Sequence, residues 1–333
     1  MLGHTIEEIA THKAGIMKTF APVVTVPQPP QAMAVLVKQS QLVNCPLYVV
    51  PPLQAYLNSC AGDTRLKFGI PGPHQDYNVS MALQLTRIWR SFREGHEQPF
   101  YTSTEGRADS SYRSGLPSSM LAAGAVTEPE RLGIEECSWP GRCQIVRRDD
   151  MVFYLDGAHT PLSIQYTSQW FDEILQSYVD LDLRSVYKVL VFHCTYERSA
   201  VDLLAQFQNL NFDLALFCPP VAFPDAETSA DVTNYMVSVG GRMKKCLQNR
   251  CAWLKLIEER RSAAGESTSG QNIPPLSSVV ACVSDAVSYI ELLKKQVNTN
   301  APESPPAKMH VLVTGSLHLV GSFLQVLNWQ SQE

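Results

Sequence analysis

No apolar run in these 333 residues approaches the ~18 that a membrane-spanning helix needs; stretches such as Val189-Leu190-Val191-Phe192 stop after a few positions. An excess of positive charge is missing too. Against 32 Asp and Glu stand 27 Lys and Arg, a net charge of −5, which argues against a general nucleic-acid binder. The nine cysteines form no C-x-x-C, and neither Cys137/Cys143 nor Cys246/Cys251 has a zinc spacing, so reduced thiols in a cytoplasmic setting are expected instead of a disulfide framework. The chain contains no G-x-x-x-x-G-K-[ST] phosphate loop, no H-E-x-x-H and no Ser/His/Asp motif. No secretory or Arg-rich transit segment precedes the first helix. What is present is ordinary globular composition, 45% hydrophobic and 18% charged, in a length that allows two domains.

The chain opens on a capping box, Thr5 with Glu8, as though it began inside a domain. Residues 22–26 read as a short buried strand, 31–43 as a helix and 46–50 as another strand. A helix over 75–92 follows from Val79, Ala82, Leu83, Leu85, Ile88 and Trp89. Residues 94–129 lose periodicity and read as a linker or exposed insertion. From Cys137 strands and helices alternate: strands at 144–147, 152–155, 187–192, 212–218 and 310–314, helices at 161–177, 200–210, 231–256, 277–296 and 317–327, with a polar insertion at 258–275. That order predicts an α/β fold with a mostly parallel, doubly wound sheet in the second half.

Lys13 falls within the stripe Ile6, Ile9, Ala10, Ile16 and Met17 of the first helix. A lysine there either snorkels from the edge or, desolvated, becomes a neutral amine able to add carbon dioxide, giving an oxygen ligand suited to magnesium. His4, Glu8 and His12 share another face of that helix, as a metal site or simply a solvated surface. Three turns lie between a strand and a helix, where open α/β sheets bind ligands. In Asp156-Gly157-Ala158-His159 the aspartate suits a ribose hydroxyl or magnesium and the histidine an anion, while Asp-Gly is also a plain turn dipeptide. In Thr314-Gly315-Ser316-Leu317-His318, Ser316 either binds a carboxylate or caps a helix. In Gly72-Pro73-His74-Gln75, with Asn78 one turn on, amides either read a purine edge or cap the helix. Arg142, after the rigid turn Trp139-Pro140-Gly141, suits bidentate phosphate recognition or an ordinary surface salt bridge.

Taken in order, Thr5 to Ala10 with Lys13-Ala14-Gly15-Ile16, Gly72 to Gln75 with Asn78, Trp139 to Arg142, Asp156 to His159 and Thr314 to Gly321 resemble the motifs of eukaryotic folylpolyglutamate synthases, members of the Mur-ligase superfamily. The resemblance implies the tail of a central ATPase domain over 1–95, a linker over 96–136 and a Rossmann-like ligase domain over 137–333. It implies ATP-dependent addition of L-glutamate to the γ-carboxyl of tetrahydrofolate or a folylpolyglutamate, with ATP, Mg2+ and a monovalent cation as cofactors. By the same resemblance Lys13 would be a carbamylated metal-binding lysine, and Arg142, Asp156, Asn78 and His74 would be nucleotide-side residues. His159 would serve catalysis and, with Ser316, the incoming glutamate. A monomer without nucleic-acid or membrane partners is expected, cytoplasmic, with a mitochondrial form also known in the family.

Three departures accompany the resemblance. The family's phosphate loop, folate-binding segment and metal-binding Glu and His all match positions before Met1, so the expected result for this chain alone is no turnover. His4 and His193 stand where the family carries Asn, and Tyr196-Glu197 replaces a Gly-Asp. A dihydrofolate synthase and a non-catalytic isoform are the alternative readings.

Overall fold

The computed structural model describes residues 3, 5–58, 66–72, 74–94, 122–177, 186–195, 198–224, 239–263, 276–300 and 306–328. They form two compact units, Met1–Gly69 with Pro73–Cys137, and Ile70–Gly72 with Ser138–Glu333.

The first unit begins with α1 (Ile6–Ala14), capped by Thr5, whose hydroxyl accepts from the Glu8 N–H while Glu8 accepts from the Thr5 N–H. Then follow β1 (Val23–Thr25), α2 (Pro30–Val43), β2 (Leu47–Val49), α3 (Leu53–Leu57), α4 (Gln75–Arg93) and α5 (Glu128–Glu135). Strands β1 and β2 pair in parallel, Val23 opposite Leu47, with α2 as the connection. Ala14 and Met17 pack with Cys45 and Leu47 and against Met33, Leu36 and Val37 of α2. A second cluster joins Leu53, Tyr56 and Leu83 to Ala123, Val126 and Ile134. The stretch read as a linker therefore ends as packed structure: residues 123–134 lie on α3 and α4, while residues 95–121 fall outside the described ones.

What ties α5 down is Arg87. Its guanidinium donates to both Glu130 oxygens at 2.8 and 2.9 Å and to the Ala125 carbonyl, and lies over the Tyr56 ring. Burial pushes the Glu130 carboxyl up, but Arg87 and the Thr127 N–H outweigh it and hold it below its ordinary value. The Glu130 side chain is only 7% exposed. Arg87→Ala leaves that carboxylate buried and unpaired, and should destabilise the α4–α5 packing by about 3–5 kcal/mol. Amide exchange across residues 128–135, faster by more than a hundredfold in the variant, is the measurement that checks it.

The second unit is a six-stranded sheet in the order β3-β4-β8-β5-β6-β7. Its elements are β3 (Gln144–Arg148), β4 (Met151–Leu155), α6 (Pro161–Ser177), β5 (Val186–Phe192), α7 (Ala200–Leu204), β6 (Leu214–Phe217), α8 (Val239–Ala263), β7 (Leu276–Val279), α9 (Val283–Asn300), β8 (Lys308–Thr314) and α10 (Leu317–Val326). Only β3 runs antiparallel to its neighbour. Side chains alternate between two cores, as a two-residue period requires. Tyr154, Leu190, Phe192 and Leu312 face one with α6 and α8; Phe153, Leu155, Val189, Val191, Val311 and Val313 face the other with α9 and α10. The α/β, mostly parallel, doubly wound expectation holds.

Two local expectations are corrected. Residues 277–296, read as one helix, are the edge strand β7 followed by α9. Leu276, Val279, Val280 and Val283 fall at helical spacing, but the Gly-free four-residue segment pairs with β6 instead. The polar stretch from Glu258 begins as helix, because α8 continues to Ala263. Its exposed end is supported by a Lys255–Glu259 pair and by Arg260, which bonds the Gln208 carbonyl and Asn211. The remainder, residues 264–275, and the expected helical residues 231–238 lie outside the described ones.

No described helix is long and apolar enough to cross a membrane. The eight described cysteines are free thiols.

Candidate active site

Parallel pairing of β4, β8 and β5 brings their carboxyl ends to one edge of the sheet, and the turns that leave them carry most of the singled-out residues. The turn after β4 is tied to the end of β8 through the Asp156 N–H, which donates to the Val313 carbonyl. The Gly157 N–H donates to the Gly141 carbonyl at 3.0 Å, joining it to the Trp139–Arg142 turn. Gly157 lies close under both turns: a Cβ there would fall 2.1 Å from Leu317 Cδ2 and 2.7 Å from Arg142 Nη1, side-chain ends that would have to move aside. Arg142, Asp156, His159 and Ser316 are thus assembled around Gly157 within one unit.

Arg142 is half-buried, and its guanidinium makes only a long 3.4 Å contact to the Gly141 carbonyl, with no carboxylate paired to it among the described residues. That leaves its fork available to an anion. Asp156, 7% exposed, accepts four hydrogen bonds from the chain itself. Oδ2 takes the Cys143 N–H at 2.8 Å and its thiol at 3.5 Å; Oδ1 takes the Ala158 N–H at 2.9 Å and the Thr167 hydroxyl at 3.0 Å. Burial and the neighbouring Asp156 push the Cys143 thiol far up, so it remains a donor.

His159 Nδ1 lies 2.8 Å from the Gly157 carbonyl. A carbonyl only accepts, so Nδ1 carries the proton, and in the neutral ring Nε2 holds the lone pair. Ser163 accepts from the His159 N–H, and Arg198 holds the His159 carbonyl. Ser316 is the N-cap of α10 and 4% exposed, yet its side chain makes no cap hydrogen bond. Beside it, Thr314 Oγ1 and His193 Nδ1 are buried without a partner. His193 follows β5, and its N–H reaches the Thr314 carbonyl at 3.3 Å.

The first unit holds the remaining candidates. His74 begins α4 as a helical residue with no side-chain cap bond. Gln75 Nε2 donates to His74 Nε2 at 3.1 Å, and Asn78 donates to Gln75 Oε1 at 3.0 Å. Pro73 lies outside the described residues. Lys13 is exposed, contrary to its expected place in a buried stripe. The reason is rotational: Ala10 and Ala14 of α1 and Met17 just after it are buried, Ala14 and Met17 against α2, while Ile6 and Ile9 are each 40% exposed, so the 6-9-13-16 line turns away from the core. His4 lies outside the described residues, and among those described no group of three or more His, Cys, Asp or Glu is placed to hold a metal ion.

Sequence reasoning missed Cys143 and Thr167, which carry no motif signal; only the backbone fold brings them to Asp156. Arg198 and Ser163, on the two sides of His159, were missed for the same reason.

No protein-family model matches the chain. Among curated proteins, folylpolyglutamate synthase, mitochondrial, of Bos taurus is 35% identical over 364 residues, covering 98% of this chain and 60% of its own length. The Homo sapiens protein of the same name is 34% identical over 366 residues, with the same coverage. The chain is homologous to the folylpolyglutamate synthases. Among solved structures, Mycobacterium tuberculosis folylpolyglutamate synthase complexed with ADP matches with a TM-score of 0.56 at 17% identity, covering 100% of this chain and 61% of that one. At that identity the match shows a common fold. The chain spans about 60% of the length of the curated relatives it matches.

Proposed function

We propose that this chain contributes the ligase-domain site of an ATP-dependent acid–amino-acid ligase that joins L-glutamate to the γ-carboxyl of a folate or folylpolyglutamate. The observation that carries this is the gathering of Arg142, His159 and Ser316 at the carboxyl edge of one parallel sheet. Similarity along 98% of the chain to folylpolyglutamate synthases supports the substrate class. In that reaction the γ-carboxylate is activated by phosphoryl transfer from ATP and the glutamate amine displaces phosphate from the acyl carbon. Here the unpaired Arg142 fork binds a phosphate, the His159 Nε2 lone pair accepts a hydrogen bond from the incoming amine, and Ser316 donates to its carboxylate.

Lys13 is exposed, Glu8 is engaged by Thr5, and among the described residues no group of three or more His, Cys, Asp or Glu is placed to hold a metal ion. The compartment follows thiol usage: a reducing one, cytoplasmic or mitochondrial.

Calorimetry on the purified 333-residue chain tests the reading. ADP and L-glutamate should each bind. Arg142→Ala should weaken ADP at least tenfold and leave glutamate within twofold; Ser316→Ala should do the reverse. A chain that binds neither ligand overturns the proposal. With no phosphate loop in its sequence, the same chain should show no glutamate incorporation with ATP and tetrahydrofolate.

A further inference from the structure

Phe192 of β5 pairs with Thr314 of β8, so the residues that leave the two strands, His193 and Gly315, come side by side. The His193 N–H donates to the Thr314 carbonyl at 3.3 Å, and a Cβ on Gly315 would fall 2.3 Å from the His193 carbonyl oxygen. This close approach gathers unused hydrogen-bonding capacity. His193 Nδ1 and Thr314 Oγ1 are buried without a partner among the described residues, and the hydroxyl of the buried Ser316 makes no cap bond. A polar atom held from water and left unpaired costs stability, and such atoms in native proteins call for a bound water, ion or ligand. Here they stand at the carboxyl ends of two adjacent parallel strands, where open α/β sheets take their ligands.

The surrounding charge selects an anion. Lys245 from α8 and His318 from α10 are the charged and titratable groups that act on His193, and together with burial they push it down to about 4. Cations that disfavour a proton on the ring favour a negative ligand beside it. At neutral pH the ring is uncharged and offers one N–H, while each hydroxyl offers an O–H.

We propose that His193 and Thr314 are specificity-determining residues that hold the side-chain carboxylate of the incoming amino acid, while Ser316 holds its α-carboxylate. The assignment rests on the ligase-domain reading above and adds to it the selection of glutamate over glutamine. Glutamine has the same shape, but it brings no charge to the cations and turns an NH2 towards the donors. Asn, the family's residue at this position, carries an amide nitrogen as many bonds from the backbone as His193 Nδ1, so it can serve the same carboxylate.

Calorimetry of the full chain with L-glutamate and with L-glutamine is the test. The unmodified chain should prefer glutamate. Thr314→Val and His193→Leu should each weaken glutamate by about tenfold or more and leave glutamine within about threefold, because each removes a hydrogen bond to a charged group. His193→Asn should hold glutamate within about threefold of the unmodified chain. Since the Thr314 hydroxyl has no partner in the fold, ligand-free Thr314→Val should melt at an unchanged or higher temperature.

A preference for glutamate that either Thr314→Val or His193→Leu leaves unmoved overturns the assignment. Equal loss of both amino acids does so too, being the mark of a purely structural role, as does a lower melting temperature for Thr314→Val. If His193→Leu does not fold, Thr314→Val and His193→Asn decide by the same outcomes. A chain that binds neither amino acid overturns the ligase reading and this assignment together, whereas binding with an unmoved preference overturns this assignment alone.

Discussion

Lowering the pH from 7.5 to 5 should remove roughly 4 kcal/mol from the unfolding free energy of the second unit, about 2 kcal/mol for each of two buried histidines. His193 is 4% exposed and His310 3%. Burial pushes both down from 6.5 to about 4, helped by Lys245 and His318 around His193 and by Lys308 and Arg147 around His310. The sign follows from linkage. Both stay neutral in the folded chain while the unfolded chain takes up protons below about 6.5, so stability present at neutral pH is lost as pH falls towards about 4. His310 has Tyr154 as a neighbour, Oη 2.9 Å from Nδ1 and the rings stacked, so the site is built for the neutral ring. Asp213, pushed up by burial, acts in the opposite direction at acid pH. The difference between wild type and His310→Gln therefore reads the histidine itself. Urea unfolding at both pH values, followed by Trp170 and Trp253 fluorescence, should show about half of the pH-dependent loss disappearing in that variant. Equal pH dependence in the two proteins would contradict the account.

Gly315→Ala should cost about 3 kcal/mol or more and displace Ser316. Gly315 has φ +95, and a Cβ there would fall 2.3 Å from the His193 carbonyl oxygen and 2.6 Å from the Phe192 ring. A side-chain tip can move aside; a backbone carbonyl moves only with the chain that carries it. Gly321, in α10, provides the control, because its Cβ would meet nothing within 4 Å. There the same substitution should be neutral or stabilising by up to about 1 kcal/mol, through helix propensity alone. Thermal melts of the two variants should separate by more than 10 °C. Similar melting temperatures would show that the turn after β8 relaxes freely.

Much of the second unit was legible. The apolar runs of β4, β5 and β8 and the amphipathic face of α6 are long enough for period to declare type. β7 was not legible, because four residues carry too little periodicity to compete with the helix that follows. In the first unit the pattern was seen but its phase was misjudged. Lys13 and Ala14 are neighbours, and whether 13 or 14 faces the core depends on which side α2 approaches. Periodicity identifies a stripe; only the partner says which edge is covered.

The candidate site divides the same way. The residue types and their order, Arg142 after Pro-Gly, Asp156-Gly157 before His159, Gly315-Ser316 at a helix start, are properties of the chain in one dimension, and they determined the α/β class and the homology. What surrounds each of those side chains is a property of three dimensions. Arg142 and Asp156 are alike as candidates on paper, yet the fold leaves the guanidinium unpaired and brings donors of the chain to the carboxylate. Those donors at Asp156 come from a turn thirteen residues earlier and a helix eleven residues later. Sequence states what a side chain can bind; only tertiary structure decides which groups of the chain stand beside it.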